Sequence, residues 1–105
     1  MPSLRFEISP TAERDLREIV VFIALDNWSK AIAFALELRA KCKALTVMSE
    51  RFPVVTRTAK SEIRRRPFKN YSIFYLVIDD KLVILRIVHG AIVTDDFLEN
   101  LRGTP

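Results

Sequence analysis

The spacing of hydrophobic and polar residues changes several times along this chain, and each change predicts an element. Leu4, Phe6 and Ile8 alternate with Arg5 and Glu7, the two-residue repeat of a short strand with one buried face. Ser9-Pro10 follows, a good N-cap and a residue pre-set for the first helical turn. Ala12, Leu16, Ile19, Val20 and Ile23 then recur at steps of three and four, predicting a helix whose other side is covered by Glu13, Arg14, Asp15, Arg17 and Glu18. Asp26-Asn27 interrupts the pattern, and Asn27 can cap a second helix running from about Trp28 to Met48. Its stripe is Trp28, Ala31 or Ile32, Ala35, Leu38, Cys42, Leu45 and Met48. So short a break implies an antiparallel helical hairpin. Phe34 and Leu36 fall outside the stripe, so this helix is either buried on more than one side or meets a partner.

Phe52-Pro53 ends the helical region. Val54 to Ser61 reads as a connecting loop, and Glu62 to Phe68 as an edge strand, because Pro67 has no N–H to give to a ladder. Tyr71 to Ile78 and Leu82 to His89 are long apolar runs joined by the polar turn Asp79-Asp80-Lys81, which suits the centre of a sheet. Thr94-Asp95-Asp96 can cap a last short helix carrying Phe97, Leu98 and Leu101, ended by Gly103 and Pro105. Strands grouped apart from helices indicate an α+β fold. The expectation is an N-terminal strand, an antiparallel two-helix hairpin packed on a mainly antiparallel sheet of about four strands, and a short C-terminal helix. With 105 residues, half of them hydrophobic, and neither repeat nor linker, a single domain over residues 1–105 is expected.

Charge adds a second layer. The net charge is +4, and it is uneven. Arg51, Arg57, Lys60, Arg64, Arg65, Arg66 and Lys69 stand against the single acid Glu62. This segment suits an anionic partner, nucleic acid or an acidic protein; equally, it suits a solvated loop and edge strand that use charge to resist aggregation. One cysteine, Cys42, excludes an internal disulfide, and one histidine, His89, leaves no Cys/His metal site, so neither metal nor cofactor is expected. The longest apolar run, Ile73 to Ile78, is strand-sized rather than membrane-spanning, and the first residues contain no apolar secretion core, so a cytoplasmic protein is expected.

Within the second apolar run, Arg86 needs a reason: a buried, paired structural residue or part of a functional surface. Strand alternation puts Arg86 on one face with Ile84 and Val88 and turns His89 to the other unless a bulge intervenes. Tyr71 and Tyr75 read as core residues with hydroxyls reaching the surface, and Cys42 as an inert core thiol. Trp28 reads as a packing anchor or a protein-contact residue.

The order of elements resembles the ParE/RelE superfamily of bacterial toxins, and local patterns resemble its ParE branch. Ser9-Pro10-Thr11-Ala12-Glu13-Arg14-Asp15-Leu16-Arg17-Glu18-Ile19 is similar to its opening helix, and Asp26-Asn27 with Ala31 to its helix junction. Phe52-Pro53 is similar to the break after its second helix. Arg64 to Tyr71 with Ile73-Phe74-Tyr75, and Ile84-Leu85-Arg86-Ile87-Val88-His89-Gly90-Ala91, are similar to its closing strands. The likeness spans nearly the whole chain. Ile92-Val93 stands where the family often has Arg-Asp, and Arg64-Arg65-Arg66 is more basic than usual.

The resemblance implies the toxin of a type II toxin–antitoxin system that poisons DNA gyrase and does not cut RNA. It also implies a cognate antitoxin with an acidic, flexible C-terminal segment and a DNA-binding N-terminal part. Arg64, Arg65, Arg66, Lys69 and Trp28 are the expected partner-contact residues. The alternative, carried by the RelE branch, is a ribosome-dependent mRNA endonuclease. That chemistry would fall to Arg64, Arg86 and His89, with Arg66 as a further cation. A third is a non-toxic remnant that only binds antitoxin, hinted at by Ile92-Val93.

Overall fold

The computed structural model describes residues 4–103; Pro105, expected at the chain's end, lies outside them. β1 (Arg5–Ile8) is followed by α1 (Pro10–Ala24) and α2 (Trp28–Ala44), the expected hairpin. Ser9 Oγ accepts the Ala12 N–H at 3.1 Å, and Asn27 Oδ1 accepts the Lys30 N–H at 3.0 Å, so each helix starts where its sequence cap lies. α2 is shorter than its periodicity predicts. After Ala44 the chain tightens into a 3-10 turn, Leu45–Val47, with Leu45 still buried. The buried stripe is also rotated from the expected one: Ala31, Phe34, Leu38 and Cys42 face inward, while Trp28 is exposed.

Four strands and a helix complete the fold: β2 (Val54–Arg57), β3 (Glu62–Phe68), β4 (Tyr71–Ile78), β5 (Lys81–His89) and α3 (Asp95–Arg102), the last capped by Thr94. They form one five-stranded sheet in the order β1-β5-β4-β3-β2. β1 runs parallel to β5, and every other pair is antiparallel. The expected loop at Val54 to Ser61 is therefore a strand in its first half, and β3 is interior rather than an edge. Pro67 is tolerated there for a geometric reason. The Arg65 N–H points to the β2 side, bonding to the Pro53 carbonyl at 3.1 Å, and β2 pairs only as far as Arg64. The Pro67 nitrogen, on the same side two residues on, lies past the end of the neighbour and is asked for no hydrogen.

Both faces of the sheet are covered. Leu16, Ile19, Phe34 and Leu38 pack on Ile73, Tyr75, Leu82, Ile84 and Ile87. On the other face Ile63, Phe74, Leu76, Val83, Leu85 and Val88 lie with Phe97, Leu98 and Leu101 of α3. Two-sided burial explains why β4 and β5 read as nearly continuous apolar runs; each large side chain removed from water contributes about 1.5–3 kcal/mol.

The β4–β5 register breaks once. Phe74 is opposite Arg86 but Tyr75 is opposite Ile84, leaving Leu85 as the extra residue of a bulge. Simple alternation is overturned here: Ile84 belongs to the helix-side core and Val88 to the opposite one. At the other end of the hairpin Asp79 turns the chain with φ 57°, a left-handed conformation that Asp tolerates. Arg5 bonds Asp80 there and holds that exposed carboxyl below the usual carboxylate range. Among the described residues no helix is long and apolar enough to cross a membrane.

Candidate functional site

Arg86 follows the bulge and is held by α1. Its Nε donates to Asp15 Oδ2 at 2.8 Å and its Nη2 to Asp15 Oδ1 at 3.1 Å, a two-pronged pair between β5 and α1. Asp15 Oδ2 also accepts the Ile87 N–H at 2.9 Å. The Asp15 side chain is only 12% exposed and that of Arg86 33%. A carboxylate at this depth is costly unless donors surround it, and here three do. The guanidinium also lies 5.5 Å from the Phe97 ring centroid, so one side chain joins α1, β5 and α3. Helical periodicity places Asp15 on the solvent side, and the structure turns it inward. The sequence signal for its true position was indirect: a lone arginine in an apolar strand requires a partner, and Asp15 lies in the α1 segment that carries the family resemblance.

His89 ends β5 and caps the 3-10 turn Gly90–Ile92, its Nδ1 accepting the Ala91 N–H at 3.0 Å. Nε2 is the ring nitrogen left over. The ring meets Tyr71 edge-on at 5.5 Å, and Tyr71 meets Phe34 at 5.4 Å. Arg86 and His89 share a cavity of about 270 Å³ between α1 and the end of β5, with Phe22, Glu18 and Ile92 also lining it. Val93, beside Ile92, packs against the second core.

Arg64 lies elsewhere. It lines a cavity of about 140 Å³ with Ser49, Glu50, Glu62 and Tyr75. Its Nη1 donates to the carbonyls of Phe52 at 2.7 Å and Glu50 at 3.2 Å, and its Nη2 to Glu62 Oε1 at 3.5 Å. The Tyr75 hydroxyl, expected at the surface, donates instead to the Ser49 carbonyl at 2.8 Å inside the fold, and burial pushes its ionisation up.

The neighbouring cations are similarly engaged. Arg66 donates to the Lys41 carbonyl at 3.0 Å and sits 4.9 Å over the Phe52 ring, closing the end of α2. Arg65 donates to Ser72 Oγ at 2.8 Å, and Lys69 Nζ is 3.5 Å from Glu37 Oε1. Each basic residue expected to contact a partner therefore also has an internal contact. Cys42 is buried, its thiol pushed up to about 12 by desolvation. Among the described residues there is no grouping of three or more His, Cys, Asp or Glu side chains suited to a metal ion.

A family model described as the ParE toxin of the type II toxin–antitoxin system parDE matches residues 6–93. This chain belongs to the ParE toxin family. The match takes in β1 from Phe6 on, both helices of the hairpin and every other strand, together with both partners of the Asp15–Arg86 clamp, and stops before α3. Solved structures share the ParE-family fold seen here. A chain from the chromosomal ParDE toxin–antitoxin system of P. aeruginosa is 18% identical, with 83% of this chain and 96% of that one covered and a TM-score of 0.69. A chain of the archaeal RelE–RelB complex from Pyrococcus horikoshii is 19% identical, with 88% and 100% covered and a TM-score of 0.55. One from the RelBE2 toxin–antitoxin complex of Mycobacterium tuberculosis is 24% identical, with 84% and 99% covered and a TM-score of 0.50. At these identities the likeness is one of fold. No curated protein matches the chain in sequence.

Proposed function

We propose that this ParE-family chain is the toxin of a type II pair, that it acts by binding DNA gyrase rather than by cutting RNA, and that a cognate antitoxin holds it inactive. One observation carries the choice: the candidates for RNA cleavage do not converge. Metal-free cleavage needs a base, a free cation and an acid around one phosphate. Arg64 lines one cavity, Arg86 and His89 another, and the Arg86 guanidinium is held by Asp15. A cation paired with a carboxylate has less attraction left for a developing phosphorane charge. Exposed apolar residues on the helical hairpin suit protein contact instead. The antitoxin has, on this proposal, an acidic flexible segment that folds as it binds.

The test is induced expression with and without the adjacent antitoxin gene, followed by mapping of transcript ends in the arrested cells. Growth arrest relieved by the partner, with transcripts intact, is the expected result. Cleavage of translated messages that disappears with His89→Ala would overturn it in favour of an endonuclease. Normal growth with abundant soluble toxin would leave only antitoxin binding.

A further inference from the structure

Part of the basic segment of the sequence gathers on the flank of α2 that faces β3. Arg66 Nη1 donates to the Lys41 carbonyl at 3.0 Å, the Arg66 guanidinium lies 4.9 Å over the ring of Phe52, and Arg51 is the residue before that ring. Lys69 joins them through its 3.5 Å contact with Glu37, one helical turn before Lys41. Lys41, Arg51 and Arg66 have no ion-pair partner among the described residues. The Lys69–Glu37 pair is half exposed, so water weakens it and the ammonium can turn to another anion. Against these four cations stand Glu37 and Glu50, the acid beside Arg51.

Arg66 carries the sharper signal. Its Nη1 is bonded internally, whereas Nε and Nη2 have no hydrogen-bond partner among the described residues. Nε and Nη2 form the edge with which Arg86 grips both oxygens of Asp15. On Arg66 the same two-pronged edge is free to take two oxygens of an anion, and the Phe52 ring and the Lys41 carbonyl hold it in place beforehand. An acidic protein segment would also need apolar anchors. The exposed large apolar residues of the hairpin, Val21, Phe22, Leu25, Trp28, Ile32 and Leu36, lie on α1 or on the side of α2 where Arg39 meets Glu13. Beside the cations the one such residue, among the described residues, is Val47, which shares a cavity with Arg51. A phosphodiester backbone asks only for cations and N–H donors. Arg66 and Lys69 are separated by about 10 Å of extended chain, room for about three phosphates of one strand at a rise of about 3.4 Å each.

We propose that this α2–β3 flank contacts the phosphate backbone of duplex DNA. Arg66 takes two oxygens of one phosphate, and Lys41, Arg51 and Lys69 take its neighbours. The contact positions the toxin and reads no bases. The choice of duplex DNA rests on the gyrase reading, since a toxin bound to gyrase meets the DNA that gyrase holds. The apolar side of the hairpin and the basic flank can then be engaged at once.

The experiment follows the fluorescence anisotropy of a labelled duplex of about 20 base pairs titrated with the full chain, without gyrase, from about 50 mM to about 200 mM salt. The duplex should bind, and the logarithm of its affinity should fall against that of salt with a slope of about −3 to −4, as four phosphate contacts require. Lys41→Ala with Arg51→Ala should weaken binding about tenfold or more at the lower salt and reduce the slope by about 2. Arg66→Lys keeps the charge but loses the two-pronged edge, and should weaken binding about threefold or more. Arg14→Ala with Arg17→Ala removes the same charge from exposed positions of α1 and should change affinity less than about twofold. Circular dichroism checks that each variant is folded. An equal loss in the Arg14/Arg17 variant, or no binding by the folded parent at the lower salt, would overturn the flank while leaving the gyrase reading intact. Tighter binding of a single-stranded RNA of the same length would overturn the choice of duplex. A Lys41/Arg51 variant that keeps the duplex but loses the antitoxin would assign the flank to an acidic protein instead. A parent that binds the duplex as expected but leaves gyrase active would remove the gyrase reading and leave the contact standing.

Discussion

Replacing Asp15 with alanine should be among the most damaging changes available outside the hydrophobic core. The carboxylate accepts two bonds from Arg86 and one from the Ile87 backbone, and its side chain is 12% exposed. Removing one member of a buried pair costs about 3–5 kcal/mol. Arg86 retains 33% exposure and can recover part of its hydration, which lowers the estimate. The Ile87 N–H, left without an acceptor, raises it again by about 1–3 kcal/mol if no water reaches it. A net loss of about 3–4 kcal/mol follows, equivalent to a fall of roughly 12–20 °C in Tm for a domain of this size. Arg86→Ala should cost a similar amount by stranding Asp15. The double variant should cost clearly less than the sum, with a coupling of about 1–3 kcal/mol. Urea denaturation followed by circular dichroism measures all three. Single variants within about 0.5 kcal/mol of the parent, or strictly additive losses, would refute the description of Arg86 as a strut between β5 and α1.

Phe34→Ala should cost about 3–5 kcal/mol and Leu36→Ala less than about 0.5 kcal/mol, because the first is 7% and the second 67% exposed; thermal melts of the pair check this. Arg66→Ala should lose about 1–2 kcal/mol in chemical denaturation, from the Lys41 carbonyl bond and the Phe52 contact. Cys42 should resist a thiol reagent in the native state and react fully in denaturant. Because its ionisation is raised by burial to about 12, the folded chain holds a proton that the unfolded chain releases from about pH 9. Stability should therefore fall with rising pH above that point, and more steeply in the parent than in Cys42→Ala.

Much of this architecture was legible because local chemistry and tertiary environment agree. Ser9-Pro10, Asn27 and Thr94 cap helices in the sequence and in the structure, and the α1 stripe packs as its spacing requires. Where the reading went astray, long-range geometry had decided. Val54–Arg57 is too short and too near Pro53 to announce itself as a strand; only β3 beside it makes it one. Apolar residues occur all round α2, so periodicity alone could not say that Phe34 faces the sheet and Trp28 faces out. The bulge at Leu85 adds one residue, which is invisible to a count of alternating positions, yet it puts Ile84 and Val88 on opposite faces of the sheet. Arg64, Arg86 and His89 were all legible as chemically notable. That they fall into two separate places was not, since it depends on a register that the residues of one strand do not encode.

The most direct test of target binding is a supercoiling assay with purified DNA gyrase, relaxed plasmid and increasing toxin. Supercoiling is expected to be lost as the toxin is added and to return when the antitoxin is supplied in equal amount. Full gyrase activity at toxin concentrations that arrest growing cells would contradict it.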